Sequence, residues 1–269
     1  MLSSREAYRL LDVGGTAIKC ADGRSIPSRS GGTGEQIAQA LRLAVGETAA
    51  LRGLGVAIPG PFDYQEGIFR MDHKFAAVKG ISFRTLAGIP DVIPVRFLHD
   101  VNAPLAGAIR MLHLEQGNTA LVTLGTGLGF SYALRGEVQC SSEGSPARSL
   151  WNAPAEDGGI LEDRISARGI KAAYLLKTGD DSPSVADIAR LAYAGDAAAI
   201  EVFAHLGDYL GKALQGIFQE MGIDSLLMGG QISKSLSLML EPLQRRLDGV
   251  RILPVPEGAV FEGLSTLFE

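Results

Sequence analysis

The chain has 269 residues, enough for one large domain or two ordinary domains with substantial cores. Hydrophobic residues make up 46% of it and charged residues 20%, which is typical of globular proteins and excludes a largely disordered chain. The formal net charge of −5, together with the lack of a basic stripe, argues against a nucleic-acid-binding surface.

The two cysteines, Cys20 and Cys140, are too few for a disulfide framework or a cysteine-rich zinc site. We therefore expect a reducing compartment, the cytoplasm. The N-terminal stretch has no apolar signal core, and no apolar run is long enough to span a bilayer, so we expect no membrane association.

The first feature in chain order is the stretch LLDVGGTAIK at residues 10–19. It predicts a strand over 7–13, a glycine turn, and a second strand that ends at the Asp22-Gly23 turn. The stretch fits a plain hairpin, in which the glycines supply a positive φ. It also fits a ligand site, in which glycine backbone approaches an anion and Asp12 organises a metal ion. The spacing matches neither a Walker loop nor the dinucleotide-binding fingerprint.

The next elements alternate between helix and strand. Helical spacing of apolar residues predicts a helix over 35–52, and 54–63 reads as an apolar strand stopped by Pro59-Gly60-Pro61. A further strand runs into Leu98, and a helix follows that continues through Met111. The polar residues between this strand and this helix are His99, Asp100 and Asn102.

A second hairpin of the same design is predicted over 120–138, with a glycine-rich turn that contains a threonine. The repetition favours a duplicated architecture in which each half contributes a loop to a shared cleft, although two unrelated hairpins are the alternative. Residues 141–160 read as irregular loop, and 224–233 as a strand that runs into two glycines. Asp196 is expected to cap a long helix. Its predicted apolar stripe consists of Ile200, Phe203, Leu206, Leu210, Leu214, Ile217 and Met221.

Six segments together resemble one known family. In order they are LLDVGGTAIK, GVAIPGPFD, FLHDVNAPLAGA, LVTLGTGLGF, GGILEDRIS and LLMGGQIS. Their order and spacing are similar to the signature segments of the ROK family of bacterial sugar kinases and sugar-responsive repressors. Each segment alone is a weak signal, but the six span nearly the whole chain.

The resemblance implies an α/β fold of two lobes, the duplicated actin-like (ribonuclease H-like) ATPase fold, with a cleft between the lobes. It places the first lobe at 1–107 and the second at 108–269, with the last helix packing back on the first lobe. It also implies ATP and Mg²⁺ as cofactors, with Asp12 placing the Mg²⁺ through water. The residues that it assigns to nucleotide and phosphate binding are Asp12, Gly14, Gly15, Thr16, Lys19, Gly125, Thr126, Gly127, Gly229 and Gly230.

Asp100 matches the catalytic base of the family, which accepts the proton of the attacking sugar hydroxyl. A carboxylate suits this role because it accepts a hydrogen bond from a hydroxyl group. An N-cap of the following helix is the alternative role for Asp100, and Asn102 is equally able to fill that position. We favour catalysis.

The chain departs from the family pattern at its sugar-binding residues. His99 stands where the family has asparagine, and the loop that holds zinc through one histidine and three cysteines is missing, so no zinc site is expected. Glu143 matches a glutamate near the missing zinc histidine, and Glu162 matches a sugar-binding glutamate. The substrate-binding residues expected from the resemblance are Gly60, His99, Asp100, Glu143 and Glu162.

The resulting hypothesis is an ATP-dependent kinase for a hexose or an N-acylhexosamine, expected to be a homodimer that binds no nucleic acid. No helix-turn-helix precedes Leu10, which argues against the repressor branch. A non-catalytic sugar-sensing protein is the main alternative, and a chaperone or filament protein of the same superfamily is a weaker one. Lys74 lies where the family has a sugar-contacting loop, and we interpret it as a solvated lysine.

Overall fold

A computed structural model of the chain describes residues 7–156 and 158–269. The N-terminal six residues, in which we found no signal core, and Asp157 of the predicted 141–160 loop lie outside the described residues. The strands in chain order are β1 Tyr8–Val13, β2 Ala17–Cys20, β3 Ser25–Pro27, β4 Gly53–Ile58, β5 Phe62–Asp63, β6 Ile68–Phe69, β7 Val95–His99, β8 Thr119–Leu124, β9 Leu128–Leu134, β10 Glu137–Val138, β11 Ser225–Gly229 and β12 Arg251–Pro254. The helices are α1 Gly34–Val45, α2 Phe83–Ala87, α3 Asn102–Met111, α4 Leu161–Ile165, α5 Ala167–Thr178, α6 Val185–Tyr193, α7 Ala197–Met221, α8 Leu236–Arg246 and α9 Ala259–Ser265.

The contacts within the chain divide it into two units. Unit 1 consists of the described residues up to His113 together with Gln139–Ala147 and Pro256–Glu269. Unit 2 consists of Leu114–Val138 and Arg148–Val255. The first part of unit 1 ends at His113, whereas the resemblance placed the boundary between the lobes at residue 107. A boundary at 107 would cut α3, which continues unbroken through Met111.

Each unit contains a five-stranded sheet, and the two sheets have the same topology. The order is β3-β2-β1-β4-β7 in unit 1 and β10-β9-β8-β11-β12 in unit 2. In both, an antiparallel hairpin forms one side and parallel strands form the other. The duplicated α/β architecture is therefore confirmed, and the alternative of two unrelated hairpins is wrong.

The strands β4 and β11 hold equivalent places in the two sheets and are apolar except for Ser225. Every residue of β4 and of β11 is buried, as expected for parallel strands that are covered on both faces. Separate hydrophobic cores lie around them. One contains Leu11, Leu41, Val56 and Phe83 in unit 1, and the other contains Val122, Phe203, Leu210 and Leu226 in unit 2.

Two predictions about helices need correction. The helix predicted over 35–52 ends at Val45, because Gly46 adopts a positive φ of 66° and its N–H donates to the carbonyl of Arg42. In α7, Asp196 is the N-cap as predicted, and its carboxylate accepts the N–H of Ala199 at 2.8 Å. However, Ile200 is 42% exposed and does not belong to the buried stripe.

Unit 1 also contains a close helix crossing between α3 and α9. A Cβ added at Gly107 would lie 1.8 Å from the carbonyl oxygen of Ala259, and one added at Gly263 would lie 1.9 Å from that of Ala103. Only glycine permits this approach of the two backbones. The crossing explains why Pro256–Glu269 groups with unit 1 although it ends the chain.

Candidate active site

Strand register brings three of the predicted site residues to one edge of the unit 1 sheet. Asp12 lies opposite Ala57 in the β1–β4 pair, and His99 ends β7 opposite Ile58. The N–H of Asp100 then donates to the carbonyl of Ile58 at 3.2 Å. The carboxyl ends of parallel strands are the usual ligand-binding edge of an open α/β sheet.

The Asp12 carboxylate is electrostatically unusual. Burial raises the pKa of Asp12 to about 6, the positive charge of Lys19 opposes that rise, and the negative charge of Asp100 adds to it. The Lys19 Nζ atom is 4.0 Å from Asp12 Oδ2 but is largely exposed, so it compensates weakly. A divalent cation beside Asp12 would offset the cost of burying its charge, and the carboxylate therefore suits a magnesium site.

The first glycine turn has one peptide group fixed by two serines. The carbonyl of Gly15 accepts hydrogen bonds from the hydroxyls of Ser28 at 2.7 Å and Ser30 at 2.5 Å. In a trans peptide the C=O and N–H point in opposite directions, so the N–H of the exposed Thr16 faces away from these serines. This orientation suits an anion. Sequence reasoning missed both serines, because only the pairing of β2 with β3 brings them beside the turn.

His99 and Asp100 form a contact pair at the end of β7. His99 Nδ1 lies 2.8 Å from Asp100 Oδ1, and a Cβ added at Gly60 would lie 3.4 Å from His99 Nε2. The N–H of Val101 also lies 3.3 Å from Nδ1, but Nδ1 cannot accept that bond while it donates to the carboxylate. We assign the proton to Nδ1, because the carboxylate contact is shorter and charge-assisted.

Neither alternative for the cap of α3 is correct. Val101 occupies the N-cap position, and no side chain caps the helix. The Asp100 carboxylate faces His99 instead, while the Asn102 amide donates to Cys140 Sγ at 3.2 Å and to the carbonyl of Gly144 at 3.4 Å.

Tyr64 is a neighbour of His99 that sequence reasoning missed. Its hydroxyl donates to the carbonyl of Ile58 at 3.0 Å, and its ring lies 5.7 Å from the His99 ring. Burial, and to a smaller extent the charge of Asp100, raise the pKa of Tyr64. Tyr64 is therefore neutral and holds the histidine ring from one side.

Glu143 lies on the exposed segment Gln139–Ala147 of unit 1. Its neighbour Gly144 contacts Asn102, which places the segment beside the start of α3. Among the described residues, the Glu143 carboxylate has no hydrogen-bond or ion-pair partner. Its predicted contact with a substrate stays a prediction.

In unit 2, Glu162 lies against the second glycine turn. Its Oε2 accepts the N–H of Leu128 at 2.9 Å, and a Cβ added at Gly127 would lie 2.7 Å from the same oxygen. Its Oε1 accepts a hydrogen bond from Arg168 at 3.0 Å. Both carboxylate oxygens therefore contact protein groups, which the sequence did not indicate.

The remaining predicted nucleotide-binding residues also lie together in unit 2. The turn is closed by a hydrogen bond from the N–H of Gly125 to the carbonyl of Gly127, with Thr126 between them. Gly229 pairs with Thr123 at the end of β11. Gly230 has a φ of 84°, and a Cβ there would lie 2.2 Å from the carbonyl oxygen of Leu124. The two glycine segments of unit 2 thus lie side by side at one sheet edge.

Two further features are absent from the residues that the structure describes. Over residues 7–156 and 158–269, no three His, Cys, Asp or Glu side chains cluster in a way that could hold a metal ion. Within the same residues, no helix combines the length and apolar character needed to cross a membrane.

Comparison with known proteins identifies the family. The sequence model of the ROK family matches residues 11–250. The chain belongs to the ROK family. This membership confirms the resemblance inferred from the six segments.

Individual relatives of this ROK protein agree with that assignment. A glucokinase from Halalkalibacterium halodurans is 25% identical over 304 residues, covering 97% of this chain and 90% of the relative. The structure of a ROK family glucokinase from Streptomyces griseus, in complex with glucose and AMPPNP, has a TM-score of 0.77 at 18% identity and covers 96% of this chain and 97% of that one. A ROK family transcriptional regulator, a homolog of the E. coli MLC protein, has a TM-score of 0.75 at 18% identity and covers 97% of this chain and 80% of that one. The structural similarities confirm the two-lobed actin-like fold.

Proposed function

We propose that the protein is an ATP- and Mg²⁺-dependent kinase that phosphorylates a hydroxyl group of a hexose or an N-acylhexosamine. The observation that carries the proposal is the pair of carboxylates, Asp12 and Asp100, at one edge of the unit 1 sheet, beside a glycine turn whose Thr16 N–H is oriented outward. Family membership and the similarity to a glucokinase support it.

Asp100 is the general base in this proposal. Its Oδ1 is engaged by His99, which leaves Oδ2 to accept the proton of the sugar hydroxyl. The hydroxyl oxygen forms a bond to the γ-phosphorus as its proton moves to Asp100, and the bond to the β-phosphate oxygen breaks to release ADP. The Asp100 side chain is 37% exposed, so a substrate can reach it.

The glycine turns of the two units would bind the phosphates through backbone N–H groups, with Gly229 and Gly230 against the adenosine. When bound, Mg²⁺ would neutralise phosphate charge, with Asp12 as its protein ligand through water. Lys19 stays near Asp12 and limits the repulsion between that carboxylate and the phosphates. His99, Gly60, Glu143 and Glu162 would bind sugar hydroxyls.

The decisive experiment replaces Asp100 with asparagine. A panel of sugars is screened for sugar-dependent release of ADP, with sugar-free hydrolysis as the background. On the best sugar, Asp100→Asn should lower turnover by about 10²–10⁴-fold while sugar affinity changes little, because the hydrogen-bonding shape stays and the proton acceptor is lost. Asp91→Asn is the matched control, since the Asp91 side chain is 98% exposed. A folded Asp100→Asn protein with near-normal turnover would show that the assigned base is wrong.

A non-catalytic sugar sensor is the second candidate, favoured by the fold similarity to a transcriptional regulator and by His99 in place of asparagine. The same screen separates the two, because a sensor would bind a sugar without converting ATP.

We also propose a homodimer in the cytoplasm, where ATP is available and where Cys20 and Cys140, which form no disulfide, would stay reduced.

A further inference from the structure

Lys74 lies over the first glycine turn. A Cβ added at Gly15 would be 3.1 Å from Lys74 Cδ, 3.2 Å from Cε and 3.5 Å from Nζ. The outer half of the Lys74 side chain, from Cδ to Nζ, therefore lies against Gly15 on the side where another residue would carry its Cβ. Among the described residues, the Lys74 ammonium has no hydrogen-bond or ion-pair partner, whereas Lys79 in the same segment pairs with Asp72.

The backbone beside Lys74 is tied to the same turn. The N–H of Phe75 donates to the carbonyl of Ser30 at 2.7 Å, and the Ser30 hydroxyl donates to the carbonyl of Gly15. Phe75 is fully buried and has a positive φ of 55°, an uncommon conformation for a bulky residue. Buried packing thus holds the chain in the conformation that directs Lys74 toward the glycine turn.

Packing alone gives an incomplete account of this arrangement. A lysine stem can cover apolar surface while its head stays in water, but Gly15 offers no side chain to cover. The fixed Gly15 peptide instead directs the Thr16 N–H outward, and Lys19 of the hairpin lies near Asp12. An unpaired ammonium group beside an anion-binding turn supplies the positive charge that a phosphate group requires.

We propose that Lys74 is a phosphate-binding residue whose ammonium group binds the nucleotide phosphate held by the turn Gly14–Thr16. The inference rests on the proposed function and adds to it a residue from outside the hairpin. Lys74 is exposed, in agreement with the interpretation of a solvated lysine, and the proposal adds a ligand-binding role to it. The alternative is that Lys74 contacts the sugar, because it lies where the family has a sugar-contacting loop. That alternative predicts a change in the sugar KM and none in the nucleotide Kd.

The test compares Lys74→Met with Lys79→Met, which changes the same residue type in the same segment. Calorimetric titration measures the Kd of AMPPNP, ADP and adenosine, and steady-state kinetics measures the sugar KM. Lys74→Met should raise the Kd of AMPPNP or ADP by about ten- to hundredfold, as for the loss of one charged hydrogen bond, and should leave the adenosine Kd unchanged. Lys74→Arg should restore much of the affinity. Lys79→Met should alter none of these values.

The outcomes separate the inference from the proposed function. If the unaltered protein binds AMPPNP and phosphorylates a sugar, but Lys74→Met binds AMPPNP and ADP equally well, the role of Lys74 is refuted and the kinase stands. A higher sugar KM with an unchanged nucleotide Kd also refutes it. If the unaltered protein binds no nucleotide, both proposals fail. Thermal melts of each variant show whether the compared proteins are equally folded.

Discussion

Replacing Gly15 with valine tests whether the first hairpin is a nucleotide site or only a turn. The new Cβ would contact the outer part of the Lys74 side chain, which is flexible and can move. The three nearest atoms all belong to this side chain, and none of them is a backbone atom. We therefore expect a stability loss of no more than about 1 kcal/mol, or roughly 2–4 °C in Tm. The branched side chain would, however, occupy the face that a phosphate must approach.

The expected loss of nucleotide affinity follows from the contacts that valine would block. Losing one charged hydrogen bond to phosphate costs about 1.5–3 kcal/mol, which corresponds to a rise in the AMPPNP Kd of about 10- to 150-fold. Displacing Lys74 would add to this. Titration calorimetry and thermal melts on the same samples measure both quantities.

Gly230→Ala provides the contrast. A Cβ there would lie 2.2 Å from the carbonyl oxygen of Leu124, and the φ of 84° is unfavourable for alanine. We expect this variant to lose about 2–4 kcal/mol of stability. If Gly15→Val lost as much stability as Gly230→Ala, or bound AMPPNP normally, the hairpin alternative would be correct.

Three further predictions concern sugar binding, packing and metal content. Glu162→Gln should raise the sugar KM by roughly tenfold or more with a smaller change in kcat, because the carboxylate is proposed to bind the sugar in ground and transition states alike; an unchanged sugar KM would contradict that role. Gly107→Ala should destabilise the protein by about 3–5 kcal/mol in denaturant titrations, because its Cβ would lie 1.8 Å from the Ala259 carbonyl oxygen. Gly216→Ala, at a helix position with open space, should instead stabilise it slightly, and equal melts for the two variants would refute the packing argument. The purified protein should contain no stoichiometric zinc, and EDTA should act only by removing Mg²⁺; elemental analysis that finds one zinc per chain would overturn this.

Local patterns were sufficient for the elements that build the sheets. The apolar runs in β4 and β11 and the glycine turns after β1 and β8 indicated the duplicated strands, because burial on both faces favours such runs. Asp196 was recognised as a helix cap because the signal lies within one helical turn. The end of α1 at Gly46 was missed, since apolar spacing continued past a glycine that adopts a positive φ.

The tertiary structure decided which polar groups meet. Sequence placed Asp12 and Asp100 in separate segments, and only the register of β1, β4 and β7 brings them to one sheet edge.

The sequence was also insufficient to predict contacts between distant segments. Each of three contacts joins segments that are separate in the chain: the serines that fix the Gly15 peptide, the lysine that lies over it, and the Leu128 N–H that donates to Glu162. No local pattern encodes these contacts.

The close crossing of α3 and α9 shows why the sequence alone does not reveal such contacts. Gly107 and Gly263 each look like weak points in a helix when considered alone, because glycine disfavours helix by about 1 kcal/mol relative to alanine. The reason for glycine at both positions becomes evident only when the two helix backbones are packed together, because no space for a Cβ remains between them. Sequence by itself thus determined the strands, the turns and the family, whereas long-range packing determined the contacts that orient the site.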